Sequence, residues 1–364
     1  KLGTNRHTSE FKSSISVESF QVAPEKNGAV GIELRGALGD TPFFLSGSVG
    51  SLVNAFDPKL DCPVSLDLMA LGITMTVRGN IKEPRRMRGL DATVSIEGQE
   101  VSNLEEFLGT TIPIDGPFSL EAGVRDIEEN VYRFANILLN YGESDLKGSC
   151  LIDLSGNRPE IEADFSSSRL DLRVFSDSAN RPERVESTTE TPDAGTKAGS
   201  QKERVFSPIP FDLDFLNAVN LTFELAGKKV LFPRTAVSDF IFKTELKDGV
   251  LSVHPFSGIM GGGDLSADIK LNTYERGANV EVFVNIENMD MARMLEEMEL
   301  QVRGEGDVDL HLDLNTSGNS VAEIMAGLDG SMTLSMGEGM IDRNYLKYLG
   351  IFRINLISTM TNIV

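Results

Sequence analysis

Residues 302–341 read VRGEGDVDLHLDLNTSGNSVAEIMAGLDGSMTLSMGEGMI, and this stretch indicates the fold more clearly than any other part of the chain. From Asp307 to Leu314, polar and apolar residues alternate strictly. A period of two predicts a β-strand with one apolar face and one solvated face. The apolar face would carry Val308, Leu310, Leu312 and Leu314.

The residues after this strand predict a turn, a short helix and a second strand. Asn315–Gly318 is expected to turn the chain, Ser320 to cap the start of the helix and Gly327 to end it. The second strand also alternates, and its apolar face would carry Met332, Leu334 and Met336. Because these elements contain no catalytic residue, they indicate a structural or binding surface.

The composition is typical of a folded, β-rich protein. A length of 364 residues is enough for two ordinary domains with a sizeable core. The hydrophobic share of 40% and the mean hydropathy of −0.10 favour a folded, soluble chain over a disordered one or a bundle of membrane helices. Trp is absent, and 34 glycines separate short runs of Leu and β-branched residues, which favours strands.

The net charge, the lengths of the apolar runs and the first residues of the chain each exclude some interpretations. A net charge of −21 excludes a nucleic-acid backbone as partner, because no basic stripe could replace its counterions. No window reaches eighteen apolar residues, so we expect no membrane-spanning helix. The chain begins at Lys1 without Met or a signal peptide, and we therefore expect it to be a fragment that lacks its true N-terminus.

The pattern of strands divides the chain into two halves. Residues 1–12 are predicted to be a disordered lead-in, and 13–175 an N-terminal β segment. Residues 176–204 contain Val185 as their one large aliphatic residue, so they are predicted to be a disordered polar insert. Residues 205–364 are predicted to form a C-terminal β region. Both halves contain strands, a short helix and further strands, which indicates a weak internal repeat.

Two short helices are expected outside residues 302–341. Ser102–Leu108 predicts a capped helix, with Glu105 completing a capping box. Residues 344–364 mix apolar residues with few charges, which predicts a terminal amphipathic helix that packs over the end of the sheet. A membrane-surface helix is the alternative, although only Lys347 and Arg353 would form its cationic face.

The residue types that bear chemistry do not form an active site in the sequence. Cys62 and Cys150 are far apart, and we interpret them as apolar strand residues, although they could pair in an oxidising compartment. Gly258–Asp264 lacks the Lys-Ser/Thr of a phosphate loop and is interpreted as a hairpin. We therefore predict no catalytic residue and no cofactor, and hence no enzyme.

The polar face of the strand Asp307–Leu314 carries residues that could bind a metal ion. Alternate residues of a strand lie about 7 Å apart, too far for neighbours to share one metal ion without help from another strand. We interpret these residues as a solvated outer face and predict no metal. They are Asp307, Asp309, His311 and Asp313.

The order of the motifs resembles the AsmA family. The C-terminal signature of AsmA-like proteins is similar to the run Gly304, Gly306, Val308, Leu310, Leu312, Thr316, Gly318, Ser320, Leu328, Gly330, Ser331, Gly339 and Ile341. Phe240–Asn272 is similar to the family's pattern of two strands and a Gly-Gly hairpin, and Gly116–Leu172 is similar to its internal repeat. Each motif alone is weak, but three in the usual order make the resemblance fairly specific.

A sheet of roughly eighteen strands with one apolar face must close as a barrel, pair as a sandwich or curl into a groove. The sequence alone leaves these three open. The resemblance implies a mostly β fold, in which a long curled antiparallel sheet of repeated hairpins with a few short helices forms a U-shaped groove. It also implies a periplasmic protein of a Gram-negative bacterium, anchored to the inner membrane by an N-terminal helix that is missing here.

Our leading hypothesis is a non-enzymatic AsmA-like protein whose apolar groove binds phospholipid or other acyl-chain lipid, in support of lipid transport and outer-membrane biogenesis. The alternative is an envelope scaffold or assembly factor with a closed β core and no lipid, which binds other envelope proteins. The groove lining is expected to comprise Val308, Leu310, Leu312, Leu314, Met332, Leu334, Met336, Leu146, Ile152, Leu154, Val280, Val282 and Val284.

Overall fold

A computed structural model shows a chain built mostly of antiparallel β-strands with a few short helices. It describes residues 15–26, 28–39, 41–51, 53, 60–86, 88–104, 116–173, 213–233, 235–274, 277–297 and 304–341. The chain divides into two compact units, of which unit 1 comprises residues 1–157 and 163–166 and unit 2 comprises 158–162 and 167–364. The predicted lead-in, polar insert and terminal helix lie outside the described residues.

The described residues of unit 1 form nine strands, each antiparallel to the next in the chain. They are β1 (Ile15–Pro24), β2 (Val30–Leu38), β3 (Thr41–Val49), β4 (Cys62–Ala70), β5 (Ile73–Glu83), β6 (Arg88–Gly98), β7 (Phe118–Glu128), β8 (Val131–Tyr141) and β9 (Ser144–Asp153). Two 3₁₀ turns occupy Pro84–Arg86 and Val101–Leu104. The strand β10 (Glu160–Ser167) contains residues of each unit.

In unit 2, the residues that the structure describes form the remaining strands and three short α-helices. They are β11 (Leu170–Asp171), α1 (Asp214–Ala218), β12 (Asn220–Phe232), β13 (Thr235–Lys247), β14 (Val250–Met260), β15 (Gly263–Tyr274), β16 (Gly277–Asp290), α2 (Met291–Glu297), β17 (Gly304–Glu305), β18 (Asp307–Gly318), α3 (Val321–Ala326), β19 (Asp329–Met336) and β20 (Met340–Ile341).

The main sheet of unit 2 runs β12-β13-β14-β15-β16-β18-β19, with all neighbours antiparallel. The strand β11 pairs parallel to β12, while β17 and β20 form a separate two-stranded ribbon. Among the described residues, β1 pairs with β2 alone and β19 with β18 alone. The pairing therefore closes neither unit into a barrel, which confirms the predicted mostly β fold with a long antiparallel sheet.

Tight turns at glycines join the long hairpins of unit 2. Gly261 and Gly262 connect β14 to β15 with φ values of +54° and +82°, a left-handed backbone that glycine adopts without a Cβ penalty. This confirms that Gly258–Asp264 belongs to a hairpin and not to a phosphate loop. The glycines thus allow strands of eleven to fourteen residues to follow one another directly.

The best-covered core of unit 2 lies at the end of the sheet where α2 packs. This helix contacts β13, β16 and β17, and its Met291 and Leu295 are buried. The helix packs closely on Gly304, where an added Cβ would lie 2.5 Å from the Met291 sulfur. The strand residues beneath the same end are Val237, Phe240, Ile286, Met289 and Val308, each less than 5% exposed.

The structure corrects two local predictions. The expected turn at Asn315–Gly318 is wrong, because β18 continues to Gly318 and pairs with Ala278–Glu281 of β16. The predicted helix Ser102–Leu108 begins as the 3₁₀ turn Val101–Leu104, and its remaining residues lie outside the described part. The helix α3 does form as expected, since the Ser320 side chain accepts a hydrogen bond from the Glu323 amide.

Candidate apolar binding face

The strand register brings the predicted lining residues of β16, β18 and β19 onto one face of unit 2. Residues directly opposite each other in antiparallel strands share a face. Leu312 lies opposite both Val284 and Met332, so it joins all three strands in one row. The other pairs on this face are Val282 with Leu314, Leu310 with Leu334, and Val308 with Met336, and Val280 lies opposite Thr316.

This row continues through every strand of the main sheet of unit 2. Following the register across the sheet, each step reaches another apolar residue on the same face. The seven members are Leu225, Phe242, Phe256, Ala267, Val284, Leu312 and Met332. We call this set the cross-strand row. It shows that the apolar face extends without a charged residue from β12 to β19.

Three phenylalanines give one side of this face an aromatic surface that the sequence analysis missed. The ring centroids of Phe223 and Phe242 are 6.1 Å apart, as are those of Phe242 and Phe256, and both pairs meet edge to face. The alternation of polar and apolar residues around each Phe was a signal that could have placed it on the apolar face. Their meeting was not predictable, because it depends on a register that shifts between Phe242 and Thr244 of β13.

Exposure differs strongly along the strands. Val308 is only 2% exposed and belongs to the covered core near α2. Towards the middle of the strands, Leu310, Leu312 and Leu314 are half-buried, and so are Val280, Val282 and Val284. On the outermost strand, Met332 is 38% exposed. The face is therefore closed at one end and accessible in the middle and at its β19 edge.

The other three predicted lining residues lie in unit 1 and are described there by themselves. Leu146 lies opposite Leu139, and Ile152 lies opposite Tyr132. Leu154 follows the end of β9 and is exposed, with its amide bound to the Asn130 carbonyl. Leu146 ends a nine-strand apolar row of unit 1, made by Phe20, Leu34, Leu45, Leu68, Met75, Ile96, Leu120, Leu139 and Leu146.

The opposite face of the unit 2 sheet is mostly polar, although Ile241 and Phe283 are exposed on it. Asp307, His311 and Asp313 are exposed, and Asp309 accepts a hydrogen bond from the Asn288 amide. Exposed polar pairs cross neighbouring strands on this face, including the contact of His254 with Asp268 and the ion pair of Lys243 with Glu224. Within the described residues, no group of three or more His, Cys, Asp or Glu side chains is placed to hold a metal ion.

The two cysteines lie on strands of unit 1 and are not joined. Cys62 is buried in β4, and Cys150 is half-buried in β9 on the same face as Leu146. Burial raises the pKa of the Cys150 thiol, because the thiolate is the form that desolvation penalises. A protonated, partly buried thiol agrees with the interpretation of these residues as small apolar strand residues.

Comparison with known proteins places this architecture in a family. A family model described as the AsmA family matches residues 119–360, which is more than half of the chain. The chain belongs to the AsmA family. It is also 22% identical over 331 residues to the AsmA family protein YhjG of Escherichia coli K12, an alignment that covers 88% of this chain and 48% of YhjG.

This AsmA chain thus spans about half the length of that curated relative. No solved structure matches it. Among the helices that the structure describes, none has both the length and the apolar character needed to cross a bilayer. The family match includes β18, α3 and β19. The sequence motif of residues 302–341 and the accessible part of the apolar face therefore both belong to the AsmA region.

Proposed function

We propose that this AsmA-family chain binds acyl chains of phospholipid, or of a similar lipid, on the apolar face of its sheet. The observation that carries the proposal is the cross-strand row of unit 2, which is uninterrupted over seven strands and only half-buried at Val284 and Leu312. Large apolar patches left accessible on a folded protein mark surfaces for binding or for lipid contact.

The dimensions of the face suit an acyl chain. Strands of one sheet lie about 4.8 Å apart, so the six steps of the cross-strand row span about 29 Å. One acyl chain spans half of a hydrocarbon core about 30 Å thick, or about 15 Å. Each buried CH₂ contributes about 0.8 kcal/mol, so such a chain can be held without a specific polar contact.

The polar groups on the face are compatible with an apolar ligand. Thr244 lies between Phe223 and Val253 in a neighbouring row, and its hydroxyl donates to the Ser252 carbonyl at 3.0 Å. It therefore does not present an unpaired donor to the ligand. Recognition would rest on shape and apolar area, without catalysis, and would distinguish lipid from water-soluble ligands better than one lipid from another.

The proposal extends to the cellular role. We infer that the protein works in the periplasm of a Gram-negative bacterium and is anchored to the inner membrane. There it would take part in lipid transport between membranes and in outer-membrane biogenesis. Membership of the AsmA family supports this role. The unit 2 sheet also has one mostly polar face, which suits contact with water, and one half-buried apolar face, which suits contact with lipid.

Native mass spectrometry of the full chain provides the test. We expect co-purified phospholipid and uptake of a fluorescent phospholipid by the delipidated protein. Val284→Asp should reduce the bound lipid at least fivefold, because it places a carboxylate in the cross-strand row. Thr333→Asp is the matched control, since Thr333 is exposed on the polar face of the same sheet, opposite His311. A delipidated protein that takes up no lipid would overturn the proposal.

A structural scaffold is the second candidate, and one observation favours it. The end of unit 2 beneath α2 is a closed core, with Val237 and Val308 at 1% and 2% exposure. If the whole face closed in this way, the protein would carry no lipid and would bind envelope proteins through its sheet edges. The scaffold would be favoured if neither the parent chain nor either variant carried lipid, and if chemical cross-linking captured a partner protein.

A further inference from the structure

A polar pocket opens in unit 1, at one end of the strands β5–β8. Its volume is about 450 Å³, which lies within the range of pockets that bind small organic molecules. In liquid water this volume would hold about fifteen molecules, so an organic ligand has room to enter. The residues that line the pocket lie on these strands and in the turns beside them.

Four polar side chains cross the pocket in one row. Glu97 of β6 lies directly opposite both Thr74 of β5 and Ser119 of β7, and Ser119 lies opposite Asn140 of β8. Residues directly opposite each other share a face of the sheet. Each of the four is adjacent in the chain to a member of the apolar row of unit 1, so all four face the other side of the sheet. We call this set the polar row.

Glycines leave the space in which a ligand can lie against the polar row. Gly72 and Gly142, in the turns beside the pocket, have φ values of +72° and +52°. A Cβ at Gly142 would meet no other atom within 4 Å, so the pocket is open there. Pro117 and Phe118 add apolar surface to the lining. The pocket therefore combines one row of hydrogen-bonding groups with a small apolar wall.

The polar row offers both donors and acceptors. The Asn140 side-chain nitrogen donates to the Ser119 hydroxyl at 3.2 Å, and the same amide group has a second N–H donor and a carbonyl acceptor. The Glu97 carboxylate can only accept, whereas the Thr74 hydroxyl can do either. The hydroxyls of a sugar also donate and accept. A ligand with several neighbouring hydroxyls can therefore bond to every member of the row.

The charges of the lining argue against other classes of ligand. The residues that line the pocket are all described, and they include Glu97 as their one ionisable side chain and no Lys or Arg. A phosphate group would be repelled by Glu97 and by the net charge of −21. A divalent cation would find a single carboxylate in place of its usual set of oxygen ligands. An acyl chain would leave the polar row without partners.

The length of the polar row sets the size of the ligand. Its three steps between strands about 4.8 Å apart span about 14 Å. This span exceeds one sugar ring and is comparable with two, and the C–H groups of a ring can pack on the wall of Pro117 and Phe118. We propose that the pocket binds a neutral disaccharide unit of a glycan, which lies across β5–β8 with its hydroxyls bonded to the polar row.

Saturation-transfer NMR of the full chain with maltose, cellobiose and N,N′-diacetylchitobiose tests the proposal. We expect transfer from the protein to at least one of these sugars. Glu97→Gln should weaken that binding about tenfold, because it removes a charge-assisted hydrogen bond to a sugar hydroxyl. Glu121→Gln is the matched control, since Glu121 lies two residues from Ser119 on the same face and outside the pocket. Both glutamates are exposed, so both variants should fold like the parent.

Three outcomes would overturn the proposal. The first is an absence of transfer to all of the sugars. The second is an equal effect of Glu97→Gln and Glu121→Gln, which would place the bound sugar outside the pocket. The third is competition by inorganic phosphate at the same site, which would assign the pocket to anions. Delipidated protein should bind the sugar as strongly as the parent, so failure of lipid binding and failure of sugar binding are distinguishable.

Discussion

A charge placed at two positions of the same strand should have very different effects. Val308 and Leu312 lie on the same apolar face of β18, four residues apart. Val308 is 2% exposed and faces Met289 and Met336, whereas Leu312 is half-buried between Val284 and Met332. If the face is closed beneath α2 and accessible in mid-strand, water can reach a carboxylate at one position and not at the other.

The expected magnitudes follow from burial. Val308→Asp removes an almost fully buried side chain, worth about 2 kcal/mol, and adds an unpaired buried carboxyl group, so we expect a loss of about 4 kcal/mol or more. Leu312→Asp removes about half the burial of a leucine, or about 1 kcal/mol, and its carboxylate stays hydrated. The difference of about 3 kcal/mol corresponds to about 6–12 °C in Tm for a unit of this size.

Thermal unfolding by circular dichroism and native mass spectrometry should be measured on the same samples. We expect Val308→Asp to unfold at a much lower temperature, and Leu312→Asp to unfold near the parent while it loses bound lipid. His311→Asp, on the polar face between these two positions, should match the parent in both measurements. Equal and large destabilisation at Val308 and Leu312 would refute the accessible face, and an unaffected Leu312→Asp that keeps its lipid would refute the register.

Two further predictions concern local stability. Hydrogen bonds from Arg173 lower the pKa of Asp171, so the stability they contribute is present above the ordinary pKa of an aspartate and is lost as the pH falls through the lowered value. Asp171→Asn should cost about 1 kcal/mol at pH 7 because Arg173 is half exposed, and the stabilities of the two proteins in urea should converge once the pH falls below the lowered pKa of Asp171; a constant difference across pH would contradict this. Gly330 has φ +141° and a Cβ there would lie 2.0 Å from the Asp313 carbonyl oxygen, so Gly330→Ala should cost about 3 kcal/mol. Gly142→Ala is its control, since Gly142 has φ +52° and open space and should lose about 1 kcal/mol; equal Tm shifts would show that the close approach of β19 to β18 does not matter.

The amino-acid sequence by itself determined which side of each strand is apolar. Strict alternation from Asp307 to Leu314 assigned the two faces of β18, and Ser320 marked the start of α3. Both features are local, because side chains of successive strand residues point to opposite faces and a capping hydroxyl bonds an amide three residues away. The family resemblance rested on the same kind of local pattern, and the family match confirmed it.

Only the tertiary structure decided how these faces join and how far each is covered. The cross-strand row depends on the register of six strand pairs, and a slip of one residue in any of them would bring a residue of the opposite face into it. The covered state of Val308 depends on α2, and the continuation of β18 through Asn315–Gly318 depends on β16. Hydrogen bonds and packing between residues distant in the chain set these features, so no local period could reveal them.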